Sequence, residues 1–478
     1  MTVPGAPDHP LRVAIIGSGP AAFYAAEHLL KAADRTVEVE MIDRLPTPYG
    51  LVRGGVAPDH QKIKSVIAIY EKIAAHPRFR FFGNVEFGRD LTRADLTRHV
   101  HAVIYATGAQ TDRALGIPGE DLVGSHSATE FVAWYNGHPD FRDRRFDLTV
   151  ERVAVIGVGN VAIDVARILC LLPDELRTTD MADYAIEALS VSRVREVSIL
   201  GRRGPVQAAF TTVEVKELGE LPGADVIVRA DEIALDPASA EELAAARAAT
   251  KAKVEILEGF AKRAPAGKPR RLHIRFLVSP VEIVGDEKGR VAALRVAKNR
   301  LVKDAAGALV AEPRLATDLD RGTGETETLP VGMVFRSVGY RGVPLDGVPF
   351  DAKRGLIPNA KGRVLDPAAG EPIAGQYASG WIKRGPSGVI GNNRADSVET
   401  VNALLEDAAA GRLPEPAEPA AAAFAALMAA RRPECVTFAD WRRLDAIEVE
   451  RGKPLGRPRN KLTSVAEMLA ALDPTRTP

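Results

Sequence analysis

The pattern of apolar and polar residues predicts the same order of elements twice along the chain. Residues 11–17 (LRVAIIG) form a short apolar run rich in β-branched residues, which is typical of a buried strand. A glycine turn and a helical pattern follow, and residues 37–43 (VEVEMID) predict the next strand. The order returns from 152–157 (RVAVIG), through a second helical pattern, to a strand at 196–201 (EVSILG). The chain therefore contains two βαβ units of the Rossmann type.

Weaker patterns lie in the second half of the chain. Residues 238–254 are Ala-rich and charged, which predicts a helix. Residues 271–285 and 291–302 suggest an antiparallel β region, whereas 322–330 (GTGETETLP) indicates an exposed turn before a further strand, VGMVFRSVG. The Pro/Ala stretch at 412–423 resembles a linker or a loose surface loop.

Composition narrows the class of protein. At 478 residues the chain is long enough for two or three domains. Lys+Arg and Asp+Glu both total 63, so nothing global points to nucleic acid or to a membrane surface. The two cysteines, Cys170 and Cys435, are too few and too far apart for a CxxC pair, a zinc site or an iron–sulfur cluster, and no metal is predicted. The first residues do not resemble a secretory signal and no apolar run is long enough for a membrane span, so we expect a cytoplasmic protein.

The turn after the first strand has the dinucleotide-binding pattern GxGxxA. Its residues are Gly17, Ser18, Gly19, Pro20, Ala21 and Ala22. Gly17 permits the tight turn, Gly19 lets the backbone approach a pyrophosphate, and Ala22 allows close packing of helix on strand. Asp43 ends the next strand, 26 residues after Gly17 (43 minus 17), and an acid there accepts hydrogen bonds from both free ribose hydroxyls. Because it repels a 2′-phosphate, the first site is predicted to hold FAD or NAD rather than NADP.

The second turn repeats the pattern with a different recognition end. Its residues are Gly157, Val158, Gly159, Asn160, Val161 and Ala162. The following strand ends in Arg202 and Arg203, whose guanidinium groups suit bidentate capture of a 2′-phosphate. The 45 residues from Gly157 to Arg202 (202 minus 157) exceed the usual spacing, and an insertion such as 173–192 supplies the difference. FAD at the first site and NADPH at the second is the simplest pairing.

Five longer blocks carry a family resemblance. They are TPYGLVRGGVAPDHQ (47–61), YATGA (105–109), VGNVAIDVARIL (158–169), GRRGPVQAAFTTVE (201–214) and GWIKRGPSGVIGNNRADS (380–397). With these blocks the chain, from about residue 10 to its end, resembles the adrenodoxin reductase-like ferredoxin–NADP reductases. The resemblance implies an α/β fold with two Rossmann-like dinucleotide-binding domains, the NADP domain being inserted into the FAD domain. The implied boundaries are 10–109 and 334–478 for the two FAD-binding halves and 110–333 for the NADP-binding domain, so that the strand near 334 opens the second FAD half.

The resemblance also implies further site residues. Thr107 and Gly108 close the first FAD half, and the other implied FAD contacts are Leu51, Val85, Trp381, Gly388, Val389 and Ile390. The implied NADPH contacts are Arg113, Asn160, Arg202, Arg203 and Glu214. His60 and Glu217 are the implied catalytic residues, which tune hydride and proton traffic near the nicotinamide. From the residues alone, His60 equally suits a cap for a helix beginning at 61, and Glu217 is equally a surface acid on the face of Glu214.

The implied reaction passes electrons from NADPH through FAD to a separate ferredoxin-type iron–sulfur protein. We expect a monomer or weak oligomer that docks this partner transiently through a basic patch. Candidate residues for the patch, which equally suit a merely solvated helix face, are Arg247, Lys251, Lys253, Lys262 and Arg263. Three alternatives stay open at this point: an electron-input component of a larger complex, a non-catalytic dinucleotide-binding protein, and an FAD monooxygenase.

Overall fold

The computed structural model describes residues 4–313 and 325–473. The chain divides into two compact units. The first unit contains the chain up to Thr111, the segment Asn136–Arg142 and the chain from Tyr340 onward, and the second unit contains Asp112–Tyr135 and Asp143–Gly339. Residues 322–324 of the predicted exposed turn lie outside the described residues.

A seven-stranded sheet forms the centre of the first unit. The central strand Leu11–Ile16 pairs in parallel with Val37–Ile42 on one side and with Ala102–Tyr105 on the other. From one edge to the other the strands are Asn359–Ala360, Arg363–Leu365, Pro372–Ala378, Ala102–Tyr105, Leu11–Ile16, Val37–Ile42 and Phe79–Phe82. All six residues of the central strand are buried, which agrees with its continuous apolar run because parallel sheets are covered on both faces.

Ten α-helices of the described residues belong to the first unit. They are Pro20–Leu30, Leu51–Gly54, Gln61–Lys64, Ile67–Ala74, Arg93–His99, Trp381–Arg384, Asn392–Ala409, Ala421–Arg431, Phe438–Gly452 and Val465–Leu472. Short 3₁₀ turns lie at Pro139–Phe141 and Lys453–Leu455. The predicted linker at 412–423 is irregular only as far as residue 420, because a helix begins at Ala421.

A six-stranded sheet forms the centre of the second unit. Its strands are, in order, Ser125–Ser127, Met333–Arg336, Arg152–Ile156, Glu196–Leu200, Arg270–Arg275 and Ala224–Val228. The helices of this unit are Ala128–Tyr135, Asn160–Cys170, Pro173–Leu176, Asp183–Ser190, Thr212–Leu218, Ala230–Ile233, Pro237–Ala245 and Ala248–Lys262. Two-residue strands, Thr111–Asp112 and Tyr340–Arg341, lie where the chain passes between the units.

An antiparallel sheet extends the second unit, but it begins later than the pattern predicts. Leu277 has φ of 56° and separates the predicted single strand into Arg270–Arg275 and Val278–Gly285. The first piece pairs in parallel within the six-stranded sheet, and only the second piece is antiparallel. The strand Val291–Lys303 pairs with it and with Leu309–Pro313 and Thr326–Pro330. A left-handed leucine leaves no trace in a hydrophobic pattern, which explains the error.

Three further segments differ from the expectation. The strand near 334 does not open the second FAD half, because Met333–Arg336 pairs in parallel with Arg152–Ile156 in the second unit. Residues 136–142, expected in the inserted region, pack instead in the first unit, where Arg142 pairs with Glu467. The predicted helix at 238–254 is interrupted by extended backbone at Ala246 and Arg247.

Among the described helices, none has the length and apolar character of a membrane span.

Candidate functional sites

The first glycine turn has a glycine that the fold requires and a glycine that it does not. Gly17 has φ of 101°, and a Cβ there would lie 2.6 Å from the carbonyl oxygen of Ala106. Gly19 has φ of −79°, and no protein atom lies within 4 Å of the position of its missing Cβ. Ala22 is fully buried in the first turn of the helix Pro20–Leu30. Protein packing therefore accounts for Gly17 and Ala22 but not for Gly19, whose bare backbone suits close approach of a pyrophosphate.

Asp43 is bonded to this turn as well as lying at the end of the neighbouring strand. The backbone N–H of Ser18 donates to Asp43 Oδ2 at 2.9 Å, and the Ser18 hydroxyl donates to the same oxygen at 2.5 Å. The backbone N–H of Leu45 donates to Oδ1 at 2.9 Å. A carboxylate has about four acceptor positions. Three are used within the protein, which leaves one acceptor position of Asp43 unused by the described residues.

The block 47–61 is attached to the same turn. The backbone N–H of Tyr49 donates to the carbonyl of Ser18 at 3.0 Å, and a Cβ on Gly50 would lie 3.0 Å from Gly19 Cα. Leu51 begins the next short helix and is half-buried. His60 precedes the helix Gln61–Lys64, but its side chain makes no capping hydrogen bond to that helix, so the structure does not support the capping interpretation.

The C-terminal block 380–397 packs on the first turn, as the resemblance implies. A Cβ on Gly380 would lie 2.6 Å from the Cβ of Ala21, and the Ser397 hydroxyl donates to the Ala21 carbonyl at 2.9 Å. Trp381 is half-buried, and its ring lies 5.4 Å from that of Tyr340. The buried Trp381 Nε1 and Thr107 Oγ1 have no hydrogen-bond partner among the described residues. Two orphaned polar atoms in the segments that flank the turn fit a polar ligand there.

The turn 388–390 leads into the long helix Asn392–Ala409. Asn392 Oδ1 accepts from the Val389 backbone N–H at 2.8 Å and shapes the turn, in which Gly388 has φ of 75°. Val389 is 54% exposed, whereas Ile390 packs against the core. Val389 therefore places an apolar side chain at the surface within block 380–397, where the resemblance locates the contacts to the isoalloxazine end of FAD.

Two other predicted FAD residues lie elsewhere on the same sheet. Val85 is buried in the core, and its backbone N–H donates to the Asp43 carbonyl at 2.9 Å. Gly108 has φ of 71°, a conformation that favours glycine, at the end of the strand Ala102–Tyr105. Both positions thus lie at the carboxyl edge of the sheet, where ligands of such folds bind.

The second glycine turn repeats the construction of the first in the second unit. Gly157 has φ of 126°, and a Cβ there would lie 2.1 Å from the Ser337 carbonyl oxygen. Gly159 has no protein atom within 4 Å of its missing Cβ, and Val161, the second residue of the helix Asn160–Cys170, is half-buried. Asn160 Oδ1 accepts from the Thr211 backbone N–H at 2.9 Å, which joins the turn to block 201–214.

The two arginines at this site have no side-chain partner among the described residues, whereas Asp43 is hydrogen-bonded to its turn. Arg202 is exposed and Arg203 half-buried, and no carboxylate in the described ranges pairs with either. Only their backbone carbonyls are bonded, to Asn299 Nδ2 and to the Leu277 N–H. Arg113 is also exposed. Two unpaired guanidinium groups at a strand end suit an anionic ligand.

Glu214 and Glu217 lie on one helix, as expected. The helix Thr212–Leu218 begins at a Thr211 cap, whose hydroxyl accepts from the Glu214 N–H. Glu214 is buried and Glu217 half-buried, so Glu217 is not simply a surface acid.

The docking patch loses one of its candidates. Lys253 is 6% exposed, its ammonium group donates to the Ala208 carbonyl, and it lies 5.6 Å from the Phe210 ring. Arg247, Lys251, Lys262 and Arg263 are exposed. Lys253 therefore supports block 201–214 from beneath and cannot meet a partner.

Sequence reasoning missed the polar residues that hold the site segments in place. Asp396 Oδ2 accepts from the Gly380 N–H at 2.5 Å, and Asp396 Oδ1 lies 3.0 Å from the ammonium group of buried Lys383. Glu448 pairs with Arg53. Lys383 and Asp396 lie inside block 380–397, and the family resemblance of that block was a signal that could have marked them. Nothing in the sequence near Glu448 indicates that its partner is Arg53.

Two turns of this construction, each at the carboxyl edge of a mostly parallel sheet, define a two-domain dinucleotide-binding oxidoreductase. The family model described as pyridine nucleotide-disulphide oxidoreductase matches residues 11–212. Cys170 and Cys435 are both free, so the chain has no disulfide.

Full-length relatives identify the family. The chain is 49% identical over 470 residues to "NADPH-ferredoxin reductase FprA" of Mycobacterium tuberculosis (strain CDC 1551 / Oshkosh), covering 96% of this chain and 98% of that protein. It is 40% identical over 479 residues to "NADPH:adrenodoxin oxidoreductase, mitochondrial" of Arabidopsis thaliana, covering 98% and 96%. The solved structure "Mycobacterium tuberculosis FprA in complex with NADPH" matches with a TM-score of 0.89 and 48% identity over 97% of this chain and 99% of that one. The chain belongs to the adrenodoxin reductase-like ferredoxin–NADP reductases, which confirms the resemblance.

Proposed function

We propose that this protein is an FAD-dependent ferredoxin–NADP reductase that transfers electrons between NADPH and an iron–sulfur protein. The observation that carries the proposal is the contrast between its two glycine turns. The first turn is bonded to the carboxylate of Asp43, and the second ends at the unpaired Arg202 and Arg203. A carboxylate disfavours a 2′-phosphate and two guanidinium groups favour it, so FAD binds the first unit and NADPH the second.

The residues of the first unit fit FAD. Bound FAD supplies the chemistry, because a flavin exchanges two electrons with a nicotinamide as hydride and single electrons with an iron–sulfur centre. Gly19 leaves its backbone open to the pyrophosphate, and Asp43 accepts one ribose hydroxyl. Trp381 Nε1 and Thr107 Oγ1 offer donors that have no acceptor among the described residues. Leu51, Val85, Gly108, Gly388, Val389 and Ile390 complete the proposed set.

The residues of the second unit fit NADPH. Gly159 leaves room for the pyrophosphate, and Arg202 and Arg203 bind the 2′-phosphate. Asn160 and Glu214 orient the ligand, with Arg113 as a further cation. His60 and Glu217 are the proposed groups that tune hydride and proton traffic, and no other general acid or base is needed.

The partner is an iron–sulfur protein, which we propose to be an acidic ferredoxin that docks transiently and electrostatically. The docking residues are the exposed Arg247, Lys251, Lys262 and Arg263. A monomer or weak oligomer suffices for this reaction, and the cytoplasm is its proposed location.

Stopped-flow reduction of the bound flavin tests the assignment of the second site. Arg203→Ala is expected to remove the advantage of NADPH over NADH while leaving the rate with NADH almost unchanged. Arg193→Ala, an exposed arginine of the same unit, is the control and keeps the wild-type preference. Equal use of NADPH and NADH by the wild type would contradict the proposal, and a purified protein without flavin absorbance would favour a non-catalytic dinucleotide-binding protein.

A further inference from the structure

A buried ion pair joins block 47–61 to the helix Phe438–Gly452. Arg53 Nη1 donates to Glu448 Oε2 at 2.8 Å, and Arg53 Nη2 donates to Oε1 at 2.6 Å. Glu448 is fully buried, and the Arg53 side chain is 11% exposed. Two parallel hydrogen bonds between planar groups fix the orientation of both side chains as well as their distance. The pair therefore sets the position of the Arg53 helix, Leu51–Gly54.

The surroundings of Glu448 keep its carboxylate charged. The backbone N–H of Leu462 donates to Oε1 at 2.9 Å, and Arg459 Nη1 lies 3.5 Å from Oε2. Burial alone would raise the pKa of Glu448, but the charge and hydrogen bonds of Arg53, with Arg459 and Leu462, hold it below its ordinary value. Removing the charge of such a buried carboxylate weakens the ion pair strongly, because the arginine is then left buried without an opposite charge.

The same helix contacts block 47–61 at a second point. The Arg53 guanidinium lies 5.1 Å from the centre of the Trp441 ring. Trp441 Nε1 donates to the hydroxyl of Tyr49 at 3.2 Å, and that hydroxyl donates to Glu71 at 2.5 Å. Trp441 is almost fully buried. The helix Phe438–Gly452 thus holds both ends of the segment 49–53.

This segment lies directly against the first glycine turn. Tyr49 donates to the Ser18 carbonyl, and Gly50 lies so close to Gly19 that a Cβ would approach its Cα to 3.0 Å. Gly19 is the residue whose backbone is open to the pyrophosphate. A continuous set of packed and bonded groups therefore connects Glu448, by way of Arg53 and Gly50, to the turn that binds the dinucleotide.

We propose that Glu448 is a positioning residue for FAD: through Arg53 it holds segment 49–53 against the glycine turn and slows release of the bound dinucleotide. The inference rests on the proposed function, because it takes FAD to be the occupant of the first site. Glu448 itself touches neither the turn nor the block 380–397 in any described hydrogen bond or ion pair. Its effect is transmitted by the position of the Arg53 helix.

FAD release from the holoenzyme tests the proposal. The rise in fluorescence of free FAD after dilution gives the release rate, and far-UV circular dichroism at the same temperature reports whether the protein is folded. In Glu448→Gln, release is expected to be about tenfold faster while the circular dichroism stays native, since fewer molecules hold the binding-competent segment. The control is Glu450→Gln, because Glu450 is an exposed acid of the same helix that pairs with Lys453, and it should keep the wild-type rate.

The outcomes separate a positioning role from a merely structural one. Release at the wild-type rate in Glu448→Gln overturns the proposal, as does faster release that appears only together with loss of helical signal. If Glu448→Gln does not fold, Arg53→Lys keeps the charge and removes the bidentate geometry. That variant should release FAD faster than the wild type, and an unchanged rate overturns the proposal equally. A wild-type protein that binds no FAD would contradict the proposed function instead.

Discussion

Ser18 donates two hydrogen bonds to one oxygen of Asp43, from its backbone N–H at 2.9 Å and from its hydroxyl at 2.5 Å. The acid that ends the second strand is therefore part of the glycine turn and not only a reader of ribose. Burial raises the pKa of Asp43 above its ordinary value, although the bonds from Ser18 and Leu45 oppose that effect. A ligand that donates to the remaining acceptor position would favour the charged form.

Replacing Asp43 should weaken FAD binding through the turn as well as through the ribose. Asp43→Asn replaces one acceptor oxygen by an NH₂ donor. That donor then faces the N–H of either Ser18 or Leu45, so one hydrogen bond is lost. We expect about tenfold weaker retention of FAD, since a hydrogen bond to a charged group contributes about 1.5–3 kcal/mol. Fluorescence of free FAD in serially diluted holoenzyme measures the effect. Asp34→Asn, an exposed acid paired with adjacent Arg35, is the control, and equal retention in both variants would contradict the role of Asp43.

The two open glycines allow one cofactor site to be impaired at a time. Gly19 and Gly159 have φ of −79° and −101°, which alanine adopts freely, and a Cβ at either position meets no protein atom. Gly19→Ala should therefore fold but lose FAD, whereas Gly159→Ala should keep FAD and bind NADP⁺ at least tenfold more weakly, on the order of 1.4 kcal/mol. Flavin absorbance and titration with NADP⁺ measure the two effects.

Gly17 and Gly157, in contrast, are required by the protein itself. At Gly17 and Gly157 an added Cβ would lie 2.6 and 2.1 Å from a carbonyl oxygen, and both residues have positive φ. Alanine there should reduce the stability of the fold itself, by more than about 1 kcal/mol. If Gly19→Ala lowered the thermal unfolding temperature as much as Gly17→Ala, packing rather than ligand would explain Gly19.

The two glycine turns could be predicted because their signals are local. Each occupies six consecutive residues that lead from a buried strand into a helix, and the strand bounds from sequence agree with the structure to within a residue or two. The strand Met333–Arg336 could not be placed, because its position between two other strands depends on pairing across the whole second unit. A local pattern shows that a strand exists but not which sheet receives it.

Long-range polar pairs could not be predicted from the sequence for the same reason. Arg53 and Glu448 are 395 residues apart, and each looks like a surface residue in its own segment. Lys253 was a candidate for the docking patch, but it is buried against the Phe210 ring and the Ala208 carbonyl, which lie some forty residues earlier (253 minus 210 is 43). Buried charges of this kind are found only when the partner is known, because an unpaired charge would not stay buried.

Acid should destabilise the second unit partly through His126. Burial, together with the positive charges of Arg336 and Arg144, lowers the pKa of His126 to about 4. The folded protein therefore keeps this histidine neutral, while the unfolded chain binds a proton near 6.5. Its contribution is full above about pH 6.5 and is lost as the pH falls toward 4, by at most about 1.4 kcal/mol for each pH unit.

Urea unfolding at a series of pH values checks this expectation. The ring of His126 packs against Phe146 and Phe335, with ring centres 4.8 and 5.9 Å away, so His126→Phe retains an aromatic contact without a titrating group. The free energy of unfolding should fall less steeply with acid in the variant than in the wild type. Identical slopes between about pH 6.5 and pH 4 would show that His126 takes its proton as easily folded as unfolded.

Electron transfer to ferredoxin should depend on salt and on the exposed end of the helix Ala248–Lys262. Lys251 is exposed there beside Arg247, although exposed Glu255 and Glu258 on the same helix make the face mixed rather than uniformly basic. Lys251→Glu should slow ferredoxin reduction several-fold at low ionic strength, and the difference should vanish as salt screens the charges. Lys288→Glu, an equal change of charge at another exposed site of the second unit, is the control. Flavin reduction by NADPH should be the same in both variants, so a flat salt response, or an equal loss in the control, would place the docking surface elsewhere.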